Sequence, residues 1–333
     1  MKAVRYYAPG NIKVDDVPMP TPKPNEALIK VLYSGICGSD LHIFRLGMFM
    51  TYAPETLGHE FVGEVVQAPA DSGFKPGDIV TGNPGVYCGE CTSCQKGDFL
   101  HCENLTFIGE VCPGCDAEYL VLPAEKLVKF APGVDLLQAS VVEPLTVAHH
   151  ACKIAKDSLQ GEAVVFGCGP IGLLIAYLLK NMYQIENLVL VDTNIHRRQK
   201  AESAGFDQVY ASIADAKQAH FATVIDTTGA GAAIDAEINA LTPRGVLVVV
   251  SVFEKLPTID LNVLVSKEIQ IWGSNAYTFE DMQEAVGIID SKKYDFEWLI
   301  SHVIPCTKAK EAFAELAESP HSLKILFDFT DKN

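Results

Sequence analysis

Over the first 31 residues apolar and polar positions alternate in short runs, 3–6, 13–17 and 27–31, separated by turn residues that are densest in PMPTPKP at 18–24. A period of two between such breaks predicts half-buried strands. The pattern continues through 58–66, 78–82 and 118–122, so a β-rich lobe is expected. After Asp135 the period lengthens toward 3.6, and 136–140 and 145–155 read as helices, with Glu143 just before Pro144. The lobe boundary is expected there. An apolar strand then runs from residue 163 into a glycine-rich turn and a helix over 173–182. Further apolar strands at 188–191, 223–226, 246–252 and 269–273, with helical segments between them, predict a doubly wound parallel sheet. Two amphipathic helices (280–289 and 307–317) and a strand at 324–329 close the chain. The expected domains are therefore 1–143, 144–278 and a segment 279–333 that returns to the first lobe.

Length and charge narrow the function. With 333 residues, 48% of them hydrophobic, the chain can build two cores. Its 42 acidic against 26 basic side chains give a formal net charge of −16, a field that repels phosphate backbones and anionic membranes. Nucleic-acid and membrane partners are not expected. The N-terminal residues lack an apolar core of signal-peptide length, and no apolar run approaches a membrane span, so a cytoplasmic protein is expected.

In a reducing compartment the clustering of ten cysteines points to metal rather than to disulfides. Cys88, Cys91, Cys94 and Cys102 follow C-x2-C-x2-C-x7-C, four thiolates that repel one another unless a cation binds them. A zinc ion closed by four cysteines leaves no open position, so this site is read as structural. Cys37, His59 and Glu60 instead combine a soft thiolate, an imidazole and a hard carboxylate beside glycine-rich turns. Three mixed ligands leave a fourth position free, which suits catalytic zinc. Cys112-Pro-Gly-Cys115 is read as a structural turn rather than a redox dithiol. Cys152, Cys168 and Cys306 are expected to be buried apolar residues, and His149 and His150 to serve helix packing or surface.

The turn Gly167-x-Gly169-Pro170-Ile171-Gly172 follows a strand and opens a helix, and Asp192 ends the next strand twenty residues later. Together these are a dinucleotide fingerprint, with glycines admitting the pyrophosphate to a helix N-terminus and a carboxylate meeting the adenosine ribose. A carboxylate there repels a 2′-phosphate, which favours NAD over NADP; His196, Arg197, Arg198 and Lys200 are the opposing signal.

Five separated motifs occur in order: Gly35-Ile-Cys37-Gly-Ser39-Asp40-x-His42, Gly58-His59-Glu60-x-x-Gly63, the four-cysteine loop, Glu143-Pro144-Leu145 and Gly167–Gly172. In these the chain resembles, over essentially its whole length, the zinc-dependent medium-chain alcohol/polyol dehydrogenases, in their sorbitol- and threonine-dehydrogenase-like branch. The resemblance implies a GroES-like β-rich catalytic domain plus a doubly wound Rossmann domain, two zinc ions per subunit and NAD. It also implies an active site in the cleft between lobes. It places Cys37, His59, Glu60 and Glu143 at the catalytic zinc, Glu60 and Glu143 directly or through water. Ser39 would pass on the substrate proton, His42 would relay it, Asp40 would orient His59, and Arg197 would lie by the adenosine end of NAD. A homodimer or homotetramer is implied, with 269–273 as the edge strand.

In the 273–277 segment Ala276 stands where sorbitol-dehydrogenase-like chains usually carry arginine, while Tyr277 remains; this puts sorbitol itself in doubt. The expected function is reversible oxidation of a secondary alcohol of a polyol, sugar acid or small diol to a ketone. A threonine-type 3-hydroxy amino acid is the alternative substrate, favoured by Pro113-Gly-Cys-x-Ala-Glu-Tyr119. A zinc-stabilised nucleotide sensor without turnover is the alternative of another class.

Overall fold

The computed structural model describes residues 1–318 and 321–330. It divides into two compact units, Met1–Glu143 joined by the segment from Thr278 onward, and Pro144–Tyr277.

The first unit is built on the long strand Glu26–Gly35. Its alternation buries Ala27, Ile29 and Val31, and it pairs antiparallel with Glu60–Gln67 on one side and with Lys324–Asp328 on the other. Strands Ile79–Gly82 and Leu127–Lys129 extend one edge, Tyr119–Pro123 pairs along the first half of Glu26–Gly35, and Ile300–Pro305 extends the other edge parallel to Lys324–Asp328. The strand Ile300–Pro305 is absent from the pattern reading, because its residues are half exposed and carry no clean alternation. A smaller three-stranded sheet joins Lys2–Ala8, Asn11–Asp16 and Glu55–Thr56. The core includes Ile29, Val31, Phe61, Val65, Phe313, Ile325 and Phe327. The helix Gly38–Leu46, also missed from periodicity, leaves Glu26–Gly35 directly; Cys37 caps it and Asp40 completes a capping box.

The second unit is a six-stranded parallel sheet. Its strands run in the order Val209–Tyr210, Asn187–Val191, Glu162–Phe166, Phe221–Asp226, Leu241–Val249 and Gln270–Gly273. The order reverses between Glu162–Phe166 and Phe221–Asp226, which makes that junction the switch point where α/β sheets bind ligands. Strands buried on both faces read as continuous apolar runs, as AVVF and LVLV do. Gln270–Gly273 is the exposed edge, as expected.

Candidate active site

Cys37, His59 and Glu60 come from two neighbouring elements. Glu60 opens the strand Glu60–Gln67 and is paired with Gly35, while Cys37 begins the helix two residues further on. Gly58, immediately before His59, has φ +92°, and a Cβ there would meet Asp116, so only glycine lets the chain deliver His59 at this point. The ligand atoms of Cys37, His59 and Glu60 lie within 4.8 Å of one another.

Asp40 organises this cluster. Its Oδ2 accepts a hydrogen bond from the Cys37 amide at 2.8 Å and its Oδ1 lies 3.8 Å from His59 Nδ1, which leaves Nε2 directed away. Ser39 Oγ is 3.5 Å from that Nε2. His42 follows Ser39 by three residues on the same helix, a spacing that puts the two on one face. Burial alone pushes His59 down, but the negative charges of Asp40 and Cys37 outweigh it and raise the imidazole well above its usual range. Burial likewise raises the Asp40 carboxyl, against the pull of His59 and the Cys37 amide. The soft-plus-hard donor set of Cys37, His59 and Glu60 fits zinc.

Glu143 is buried on the first turn of the helix Val142–Ala155. It lies near enough to act electrostatically on His59, yet its carboxylate is not among the three donors that already converge.

Two participants escaped the sequence reading. Lys324 is 2% exposed and its ammonium donates to both oxygens of Glu60 at 2.8 and 2.7 Å and to the Ile36 carbonyl at 2.9 Å. Burial would push this amine down, but Glu60 and then Cys37 hold its proton on, above the ordinary lysine value. The signal was a lone lysine in an otherwise apolar terminal strand, LKILF. Asp116, fully buried, accepts from Ser34 Oγ at 2.6 Å, and burial followed by the charge of Asp40 pushes its carboxyl up to about 8. Cys115 of the C-x-x-C turn is buried and donates its thiol to the Glu60 carbonyl, while backbone bonds from Gly114, Cys115 and Asp116 fasten this turn to 56–58. The turn thus supports the strand that carries His59 and Glu60.

The four-cysteine loop is arranged differently. The Sγ atoms of Cys88 and Cys94 are 4.0 Å apart and those of Cys88 and Cys102 3.5 Å apart. A tetrahedron of sulfurs about 2.3 Å from a zinc ion has edges of about 3.8 Å. Amide groups of Cys88, Cys91, Cys94 and Asn104 donate to these sulfurs. Such bonds, from Glu90 and Cys91 first, lower the Cys88 thiol to about 6.

In the parallel-sheet unit the glycine turn lies at the switch point. A Cβ on Gly172 would sit 2.0 Å from the Gly167 carbonyl, so the turn closes only with glycine there, whereas nothing lies within 4 Å of a Cβ on Gly169. That open side adjoins the N-terminus of the helix Pro170–Asn181, which starts with Pro170 and Ile171, and a helix N-terminus of this kind can receive a phosphate. Asp192 accepts from the amides of Cys168 and Asn194, both at 2.8 Å, which ties the turn to the strand end. Arg197 Nη1 lies 3.9 Å from Asp192, and Arg198 donates to the carbonyls of Asp192 and Thr193 rather than facing outward.

Comparison with known proteins agrees with this chemistry. The family model for the alcohol dehydrogenase GroES-like domain matches residues 23–132 and that for the zinc-binding dehydrogenases matches 170–291. The chain is 32% identical to the 2-dehydro-3-deoxy-L-galactonate 5-dehydrogenase of Pseudoalteromonas atlantica, over 98% of both chains. It is also 32% identical to the sorbitol dehydrogenase of Halalkalibacterium halodurans, again over 98% of each. The crystal structure of 2R,3R-butanediol dehydrogenase from Bacillus subtilis superposes with a TM-score of 0.87 at 28% identity, covering 98% of this chain and 99% of that one. The chain therefore belongs to the zinc-dependent medium-chain alcohol/polyol dehydrogenases, oxidoreductases that act on CH–OH groups with a nicotinamide cofactor.

Proposed function

We propose that this dehydrogenase oxidises the secondary hydroxyl of a polyol, sugar acid or small diol to a ketone with NAD, and that Cys37, His59 and Glu60 hold the metal at which this happens. The observation that carries the reading is the convergence of those three donors beside a hydroxyl, Ser39 Oγ, 3.5 Å from His59. Zinc held there supplies Lewis acidity that lowers the pKa of a substrate hydroxyl, and NAD accepts the hydride.

The chain's own residues do the rest. Ser39 Oγ accepts the proton leaving the substrate hydroxyl, and His42 takes it on toward solvent. Asp40 fixes Cys37 and His59 together through one carboxylate, so both ligands keep a single geometry. Lys324 balances the charge of Glu60 and leaves it a ligand that can approach the metal directly or through water. Glu143 would add a further carboxylate beside that metal, and Cys88, Cys91, Cys94 and Cys102 would hold a second zinc ion that fixes the loop. In the cofactor unit Gly167, Gly169, Pro170, Ile171 and Gly172 receive the pyrophosphate, Asp192 the ribose diol, and Arg197 the adenosine end. Polyol and sugar-acid chemistry is supported by the two relatives named above, small diols by the butanediol enzyme.

The assembly we propose is a homodimer, or a tetramer built from it, formed through the strand Gln270–Gly273. Trp272 is 53% exposed on this unpaired edge, with Val265 and Leu261 exposed on the helix that precedes it. Such an edge invites pairing with a second copy across a two-fold axis. Light scattering should give a dimer or tetramer mass, reduced by Trp272→Glu. We place the chain in the cytoplasm, a compartment that keeps thiols reduced; among the described residues no helix is long and apolar enough to cross a membrane.

The functional test is NADH formation over a panel of polyols, aldonates, 2,3-diols and threonine. Turnover within one of the first three groups is expected. Turnover confined to threonine would shift the substrate to a 3-hydroxy amino acid, and failure of every alcohol in protein that binds zinc and NAD would favour the sensor reading.

A further inference from the structure

The parallel-sheet unit buries two carboxyl groups that none of the chemistry above uses. Asp226 ends the strand Phe221–Asp226 at the switch point, and Glu237 lies on the helix Ile234–Asn239, which packs on that strand and on Leu241–Val249. Both residues are 0% exposed. One oxygen of Asp226, Oδ1, is engaged by the amide of Thr228 at 2.8 Å and its hydroxyl at 2.7 Å. The other, Oδ2, and both oxygens of Glu237 receive no hydrogen bond from any donor group among the described residues.

Among the described residues on the elements packed together here, no cation faces the two carboxyl groups. The strand Phe221–Asp226 offers only Asp226 itself. On Leu241–Val249 the one charged residue, Arg244, is exposed and paired with Glu268; on the helix, Asp235 is exposed. The Glu237 side chain is buried with no donor for either oxygen among the described residues, an environment that keeps a carboxyl protonated. The proton belongs on Glu237, whose carboxyl is pushed up to about 9 by burial first, then by the charge of Asp226 and a hydrogen bond to it.

Asp226 in turn holds the turn that follows it. Thr228 Oγ1, held by Asp226, accepts from the Ala230 amide at 3.0 Å. The Thr227 amide and hydroxyl both donate to the Phe166 carbonyl at 2.8 Å, and the hydroxyl also reaches the Gly167 carbonyl at 3.2 Å. The turn 226–230 is therefore fastened to the first glycine of the dinucleotide loop.

We propose that Glu237, as a neutral carboxylic acid, is a positioning residue for the dinucleotide: its hydroxyl donates to Asp226, which holds the turn 226–230 against the glycine loop, and losing that proton weakens dinucleotide binding. The direction with pH follows. The folded chain keeps a proton that unfolded Glu237 releases near 4.5, so this group's contribution to stability is complete below that pH and is lost as pH rises toward about 9.

The test measures the NADH dissociation constant by nicotinamide fluorescence from pH 6.5 to 10, in wild-type protein and in Glu237→Gln, which keeps a donor but cannot ionise. The ratio of wild-type to variant constants is expected near one at pH 7 and several-fold higher by pH 10, on the order of tenfold per pH unit where the proton is fully lost. Glu237→Leu, lacking the donor, is expected to bind NADH about tenfold more weakly at pH 7, the loss typical of a buried acceptor left unpaired. Thermal unfolding without cofactor gives a second readout, in which the wild-type midpoint falls more steeply than that of Glu237→Gln between pH 6 and 9. Parallel pH profiles of the wild type and Glu237→Gln in both measurements would overturn the proposal.

Discussion

The two clusters of candidate metal ligands in the first unit differ in almost every respect except the metal they suit. The loop holding Cys88, Cys91, Cys94 and Cys102 uses four identical soft ligands, and its sulfurs are stabilised by the loop's own amides. The Cys37, His59 and Glu60 cluster offers three different donors, and charged side chains other than the donors themselves hold them: Asp40 for Cys37 and His59, Lys324 for Glu60. A site that only holds the chain together can be self-contained, whereas a site with an open position needs outside groups to keep its ligands fixed.

The two clusters should respond differently to substitution. Cys37→Ala should abolish turnover while leaving the fold and the Cys88 loop's zinc in place. Loss of Lewis-acid stabilisation worth several kcal/mol corresponds to on the order of a thousandfold or more in kcat/KM, and steady-state kinetics with circular dichroism would check it. Lys324→Met should act on both the fold and the site, because it removes the buried ammonium that holds both Glu60 oxygens; breaking such a buried pair costs about 3–5 kcal/mol. Denaturant unfolding reads that cost, and Lys324→Arg should recover much of it. Cys94→Ser should lower thermal stability and remove one zinc, yet the protein that remains folded should keep most of its kcat. If instead turnover falls in proportion to the lost zinc at low temperature, the clusters are not separable as drawn.

Asp192→Ala sharpens a smaller point. Its carboxylate is already held by the Cys168 and Asn194 amides, so its removal should loosen the turn as well as the ribose contact. NAD affinity should fall about tenfold and discrimination against NADP should narrow, as titration with the two reduced cofactors would report.

The parts of this architecture readable from sequence were those with local causes. The glycine turn, the four-cysteine spacing and the Cys37 and His59-Glu60 motifs each lie within a few residues of one another. The parallel sheet announced itself through continuous apolar runs such as AVVF and LVLV. What stayed hidden depends on pairing across long separations. Lys324 meets Glu60 because its strand pairs with Glu26–Gly35, and the pattern of residues 324–328 says only that a strand is there. The strand Ile300–Pro305 is set by its neighbour more than by its own residues. The helix Gly38–Leu46 was obscured because its start coincides with the metal motif, where glycine and serine read as a turn.

Zinc content per chain, measured in parallel with NADH formation for wild type, Cys37→Ala and Cys94→Ser, tests the division of labour most directly. The account predicts two zinc ions in the wild type and one in each variant, with turnover lost only in Cys37→Ala. A Cys37→Ala protein that retains two zinc ions and oxidises its substrate at the wild-type rate would contradict it.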